Sequence, residues 1–66
     1  DQSLLRYYWA ACDLGEPDGC IGFIDAAEPF IAMHTQKQPD LAKDLRALNS
    51  SARHFLCANG DLQYCQ

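Results

Sequence analysis

The sequence predicts an all-α fold: a small three- or four-helix bundle stapled by two disulfides, with residues 1–66 forming one domain. Three observations predict it. Apolar residues recur at steps of three and four in three separate segments, the spacing that gathers side chains on one face of a helix. Stretches rich in glycine, proline and short polar residues separate these segments. Four cysteines stand in a chain of only 66 residues, a length at which a core alone supplies about 3–5 kcal/mol and crosslinks are the common supplement.

The first helix is expected over about Gln2 to Cys12. Leu4, Leu5, Tyr8 and Cys12 share a stripe, Trp9 and Ala11 flank it, and Arg6 and Tyr7 lie further round. "DLGEPDG" at 13–19 is a turn, since glycine, proline and aspartate each favour one for a separate backbone reason. Asp18 is placed to cap the amides of the helix that follows. That second helix is expected from Gly19 to His34, with Cys20, Phe23, Ile24, Ala27, Ile31 and His34 inward and Gly22, Asp25 and Pro29 opposite. Pro29 removes a backbone bond inside it, which predicts a kink, or two short helices meeting near Glu28.

After the polar connection "TQKQPD" at 35–40, Pro39 and Asp40 suit the first positions of a third helix. Leu41, Leu45, Leu48, Ala52 and Phe55 form its apolar stripe, with Lys43, Asp44, Arg46 and Arg53 on other faces. Asn59-Gly60 supplies the stop, because both residues tolerate the left-handed conformation found past helix ends. "DLQYCQ" is a short tail.

Cys12, Cys20, Cys57 and Cys65 form an even set, which predicts a two-bridge framework made in an oxidising compartment, the periplasm or the cell exterior. Each cysteine pair is separated by seven residues, unlike the close pairs that bind zinc, so neither a metal nor a cofactor is expected. Three connectivities are open. Chain entropy favours the nested one, Cys12–Cys65 with Cys20–Cys57, at roughly 4 kcal/mol per bridge against about 2.6 for the local pairs Cys12–Cys20 and Cys57–Cys65. Nested bridges would pin the tail against the first helix. No apolar run approaches the length needed to span a bilayer, and no leader opens the chain, which reads as the mature form of an exported protein.

Nine acidic against five basic residues give a net charge of −4, which argues against nucleic acid or an anionic membrane as partner. The carboxylates Asp13, Glu16 and Asp18 gather in the first loop without the spacing of a calcium loop; they read as a solvated turn or as a negative contact patch for a basic protein surface. His34 reads as a helix-end residue and His54 as a surface one. Asp25 and Glu28 read as a solvated face rather than as a catalytic pair, and Asn49-Ser50-Ser51 matches a glycosylation acceptor in the middle of a helix. No nucleophile–base pair suggests an enzyme.

Tyr7, Tyr8 and Trp9 spread through roughly 200° around a helix. With Tyr8 inward, the other two lie on opposite flanks. Either all three rest half-buried beneath the tail, or Tyr7 and Trp9 join Arg6 in a protein-binding patch of the residue types enriched at interface hot spots.

Three features carry a family resemblance: the "LL" segment ending in Cys12, the run "CIGFIDA" at 20–26, and "PDLAKDLRALNSSARHFLC" at 39–57, which runs from a proline to aromatic-x-Cys. In these the chain resembles the Rap/Tai-type periplasmic immunity proteins that protect bacteria from type VI secretion toxins. It departs from the family pattern near Ala26, where a glycine is replaced or missing, in lacking a middle segment with a further cysteine and proline, and in Cys65. The resemblance implies a non-enzymatic immunity or inhibitor protein that occludes a partner protein. The expected contact residues are Arg6, Tyr7 and Trp9, with Asp13, Glu16 and Asp18 facing a basic surface. A secreted signalling or defence polypeptide, of pheromone type, is the alternative, and self-association is left open.

Overall fold

The computed structural model describes residues 2–65, so Gln66 of the expected tail lies outside the described residues. It is all-helical, with α1 at Gln2–Asp13, α2 at Pro17–His34 and α3 at Pro39–Ala58, followed by a single 3₁₀ turn at Leu62–Tyr64. Two bonds staple it, Cys12–Cys20 and Cys57–Cys65. No helix among the described residues is long and apolar enough to cross a membrane.

The bridges correct the expected nested pairing, and the cause lies in how α1 and α3 end. Gly15 and Gly60 take positive φ, +92° and +100°, a region that costs glycine nothing. At α1 the amide of Glu16 donates to the carbonyl of Ala11 and that of Gly15 to Cys12; at α3 the amide of Asp61 donates to Leu56 and that of Gly60 to Cys57. Both are Schellman ends, in which the chain folds back across the last turn of its own helix. The next residue, Glu16 or Asp61, leaves the helical region, with φ −87° or −86° and positive ψ, and precedes a new helical turn. Four residues on stands the second cysteine, with Cα separations of 4.4 Å and 4.8 Å to the first. Such separations fall within what a disulfide spans. The chain-entropy ranking weighs only the unfolded state, whereas these two turns bring local partners together in the folded one. The shared spacing of the cysteine pairs is therefore one device, C-x₂-G-x₄-C, used twice.

The tail is consequently pinned to α3 rather than to α1. Tyr64 packs against the core from that side and sits 5.6 Å from the Arg53 guanidinium.

Helix α2 is the middle element and packs against both neighbours. Its buried positions are Gly19, Cys20, Phe23, Ile24 and Ala27, with Ile31 and His34 half-buried behind them. It begins two residues earlier than expected because Pro17 occupies its first turn; Glu16, not Asp18, is its N-cap, and no side chain caps it. Asp18 instead lies in the first turn, where its charge suits the helix dipole. Pro29 does not split the helix. Asp25, whose carbonyl loses its partner at Pro29, lies with the proline on the exposed face where water reaches it.

Gly22, expected on the open side, lies under the Tyr8 ring: a Cβ there would stand 2.5 Å from Tyr8 Cδ1 and Cε1. At Gly19 a Cβ would meet Ala11 Cβ at 2.5 Å and the Cys12 nitrogen at 2.8 Å. These two glycines let α1 and α2 approach closely beside their covalent link.

On α3 the buried positions are Ala42, Leu45, Ala52 and Leu56, while Leu41, Leu48 and Phe55 are half-buried. The stripe keeps Leu45 and Ala52 of the one expected and takes in Ala42 and Leu56, because small Ala42 and Ala52 permit close contact with α2. Asn49 falls on this buried stripe. Its Oδ1 is buried without a hydrogen-bond partner among the described residues, and the acceptor motif it begins lies within α3 rather than in a loop.

Two stability outcomes follow. Gly19→Ala drives a methyl into backbone and is expected to cost about 1–3 kcal/mol in chemical denaturation, more than Gly22→Ala, where a single ring can yield. Asn49→Leu is expected to raise stability by about 1–3 kcal/mol, the desolvation cost of an unpaired polar group; an unchanged or lower denaturation midpoint would contradict that assignment.

Candidate functional site

The aromatic run of α1 divides as helical geometry requires. Trp9 turns inward, half-buried, its ring centroid 5.2 Å from that of Phe23. Tyr8 covers Gly22, also half-buried. Tyr7 is 71% exposed and meets Tyr8 edge-on at 5.7 Å. The reading in which all three rings lie beneath the tail does not hold, since the tail packs on α3.

The structure gathers some of the expected contact residues and separates others. Tyr7, Tyr8 and Ala11 from α1 line an open cleft of about 280 Å³ with Glu16, Asp18 and Gly19 from the turn and the start of α2. No basic residue lines it. Two carboxylates thus line the same cleft as two phenol rings. This arrangement favours a cation, because both the carboxylate charge and the ring quadrupole attract one.

Arg6, Trp9 and Asp13 lie on the other flank. Arg6 borders an apolar seam with Leu5, Trp9, Phe23, Leu45 and Leu48. Asp13 shares a shallow depression with Trp9, Cys12 and Phe55. The acidic turn is accordingly not one patch: Glu16 and Asp18 go with Tyr7, and Asp13 goes with Trp9.

The histidines sit apart. His34, in the last turn of α2, is within 2.9 Å of the Phe30 carbonyl through Nδ1 and stacks on the Phe30 ring at 4.1 Å. His54 is exposed on α3. No group of three or more His, Cys, Asp or Glu side chains among the described residues is arranged to hold a metal ion.

One interaction escaped the sequence reading. Glu28 does not form a pair with Asp25; it takes an ion pair from Arg53, and Arg53 also lies over the Tyr64 ring. The partners come from α2, α3 and the tail, 25 residues apart for the ion pair itself, so no local periodicity announces them. Both charged side chains are substantially exposed, which limits the pair to about 0–1 kcal/mol.

Comparison of the chain with protein-family models, curated proteins and solved structures gives no match. The reading of the site therefore rests on its chemistry. Two formed disulfides point to an oxidising compartment.

The division of the rings has a measurable consequence. Trp9→Ala is expected to cost about 2–4 kcal/mol, somewhat below the cost of emptying a fully buried aromatic site. Tyr7→Ala is expected to change stability by less than about 1 kcal/mol. Equal losses in urea unfolding would mean that both rings serve the core.

Proposed function

We propose that this chain is an exported, non-enzymatic protein-binding module, periplasmic or secreted, that acts as an immunity or inhibitor protein by covering a basic surface of its partner. One observation carries the reading: an exposed tyrosine stands in a cleft with two carboxylates, on a backbone held by a buried disulfide. A tyrosine turns about only two side-chain torsions and so loses little rotamer freedom on binding, and the crosslink beneath it limits motion of its support. A lysine or arginine of the partner enters the cleft beside Tyr7, and its charge is met by Glu16 and Asp18. The net charge of −4 speeds the encounter with a basic surface, an effect on association rate more than on lifetime. The resemblance to Rap/Tai-type immunity proteins supports the same role, with a toxin protein as the partner.

In this reading Trp9 supports the surface rather than forming it. Arg6 and Asp13, on the opposite flank, are not part of the main contact.

The test is capture of a partner by the oxidised protein from extracts of its source cells, followed by affinity measurement. The variant carrying Tyr7→Ala, Glu16→Gln and Asp18→Asn is expected to bind that partner at least about 30-fold more weakly, the scale of a hot-spot residue. Association of the unaltered protein is expected to slow with added salt. Undiminished binding by the folded triple variant would move the contact to another face.

A further inference from the structure

The two staples are alike in construction but not in setting. Cys20 is 0% and Cys12 7% exposed, and both belong to the core cluster. Cys65 is exposed and Cys57 half-buried, and neither joins that cluster. A thiol can exchange with a disulfide only by reaching a sulfur along the line of the bond, so access decides which bridge reacts. The surrounding charge differs as well. The Cys12–Cys20 bridge spans a turn carrying Asp13, Glu16 and Asp18, which repel a thiolate. The Cys57–Cys65 bridge lines an open cleft of about 210 Å³ with Ser50, Arg53, His54 and Tyr64. Asp61, the acidic residue of that turn, is absent from the cleft lining, and the Arg53 charge there is shared with its ion-pair partner Glu28.

What each bridge holds also differs. Opening the first loosens core residues. The 3₁₀ turn enclosed by the second contains no buried residue and is tied down by the Asp61 amide on the Leu56 carbonyl, by Tyr64 on Arg53 and the edge of the core, and by the bond itself.

We propose that Cys57–Cys65 is a thiol-exchange site and a redox-sensitive latch, while Cys12–Cys20 is a permanent crosslink. An incoming thiolate attacks Sγ of exposed Cys65, forming a mixed disulfide there and expelling Cys57 as a thiolate beside the Arg53 side chain. A second thiolate then attacks the mixed disulfide, leaving with its first partner as an external disulfide and releasing Cys65 as a thiolate. Both cysteines take up protons from water; the bridge gains two electrons, which the external thiols supply. Once open, the tail carries Tyr64 away from Arg53 and uncovers the Ser50, Arg53 and His54 face of α3. Small thiols and protein dithiols share this chemistry.

The oxidised protein is treated with graded glutathione and, in a separate arm, with a thioredoxin-class dithiol protein; thiols are then alkylated and mapped by mass spectrometry. Cys57 and Cys65 are expected to open at reductant levels at least about tenfold below those needed for Cys12 and Cys20. Glutathione is expected on Cys65 rather than Cys57. Hydrogen exchange at the Asp61, Tyr64 and Cys65 amides is expected to rise while that of α1 and α2 stays unchanged. Opening in only one arm assigns the reductant class. Simultaneous opening of both bridges, prior opening of Cys12–Cys20, or resistance in both arms would overturn the proposal. His54→Glu, which places a negative charge in the cleft without touching the core, is expected to slow opening by glutathione several-fold, and an unaltered rate would count against the proposed role of the cleft's charge.

Discussion

The structure depends on one local constraint: a helix that ends on a left-handed glycine, with a disulfide closing the turn it makes. At Gly15 the chain reverses, and Cys12–Cys20 then holds the end of α1 to the start of α2. Hydrogen bonding and covalent chemistry act on the same few residues, so the angle between the two helices is specified twice. Gly19 and Gly22 complete the junction by letting α1, through Ala11 and Tyr8, lie directly on α2. From there the arrangement of the aromatic run is determined. Trp9 is carried onto Phe23, Tyr8 onto Gly22, and Tyr7 into solvent beside Glu16 and Asp18.

The middle position of α2 explains where apolar side chains were spent. Phe23, Cys20 and Ala27 on α2 and Ala42, Ala52 and Leu56 on α3 are almost wholly enclosed, while every helix keeps an open side. A chain of this size has too little interior for three helices to be equally buried. The shared helix packs against both neighbours, and the outer helices line the two clefts described above. The first helix presents the acidic aromatic cleft, and the third presents the basic side chains around the second bridge.

Much of this was legible in the residues. The 3–4 spacing marks three helices, Pro39 and Gly60 bound the third, and the angular spread of Tyr7, Tyr8 and Trp9 requires that one ring be left outside. Other features were not legible, for identifiable reasons. The disulfide pairing was misjudged because loop entropy describes the unfolded chain, whereas the choice was made by folded turns whose signal, a glycine three residues after the cysteine, occurs at both sites. The expected stripe of α3 holds at Leu45 and Ala52, but close packing brought in Ala42 and Leu56 beside them and took Asn49 with them. Among the expected contact residues, Tyr7, Glu16 and Asp18 converge while Arg6, Trp9 and Asp13 do not, because membership of a site depends on which side of α1 a residue occupies. The link from Glu28 through Arg53 to Tyr64 joins three elements and leaves no pattern in any one of them.

The eight-residue separation within each crosslink bears on how the molecule is made. Each cysteine has its mate only eight residues along the chain, so few other thiols lie within reach when the pair forms. Cys12 and Cys20 can be joined before Cys57 is present to compete. The linear order of the thiols thus lowers the chance of mispairing, since each correct loop is shorter than any incorrect one.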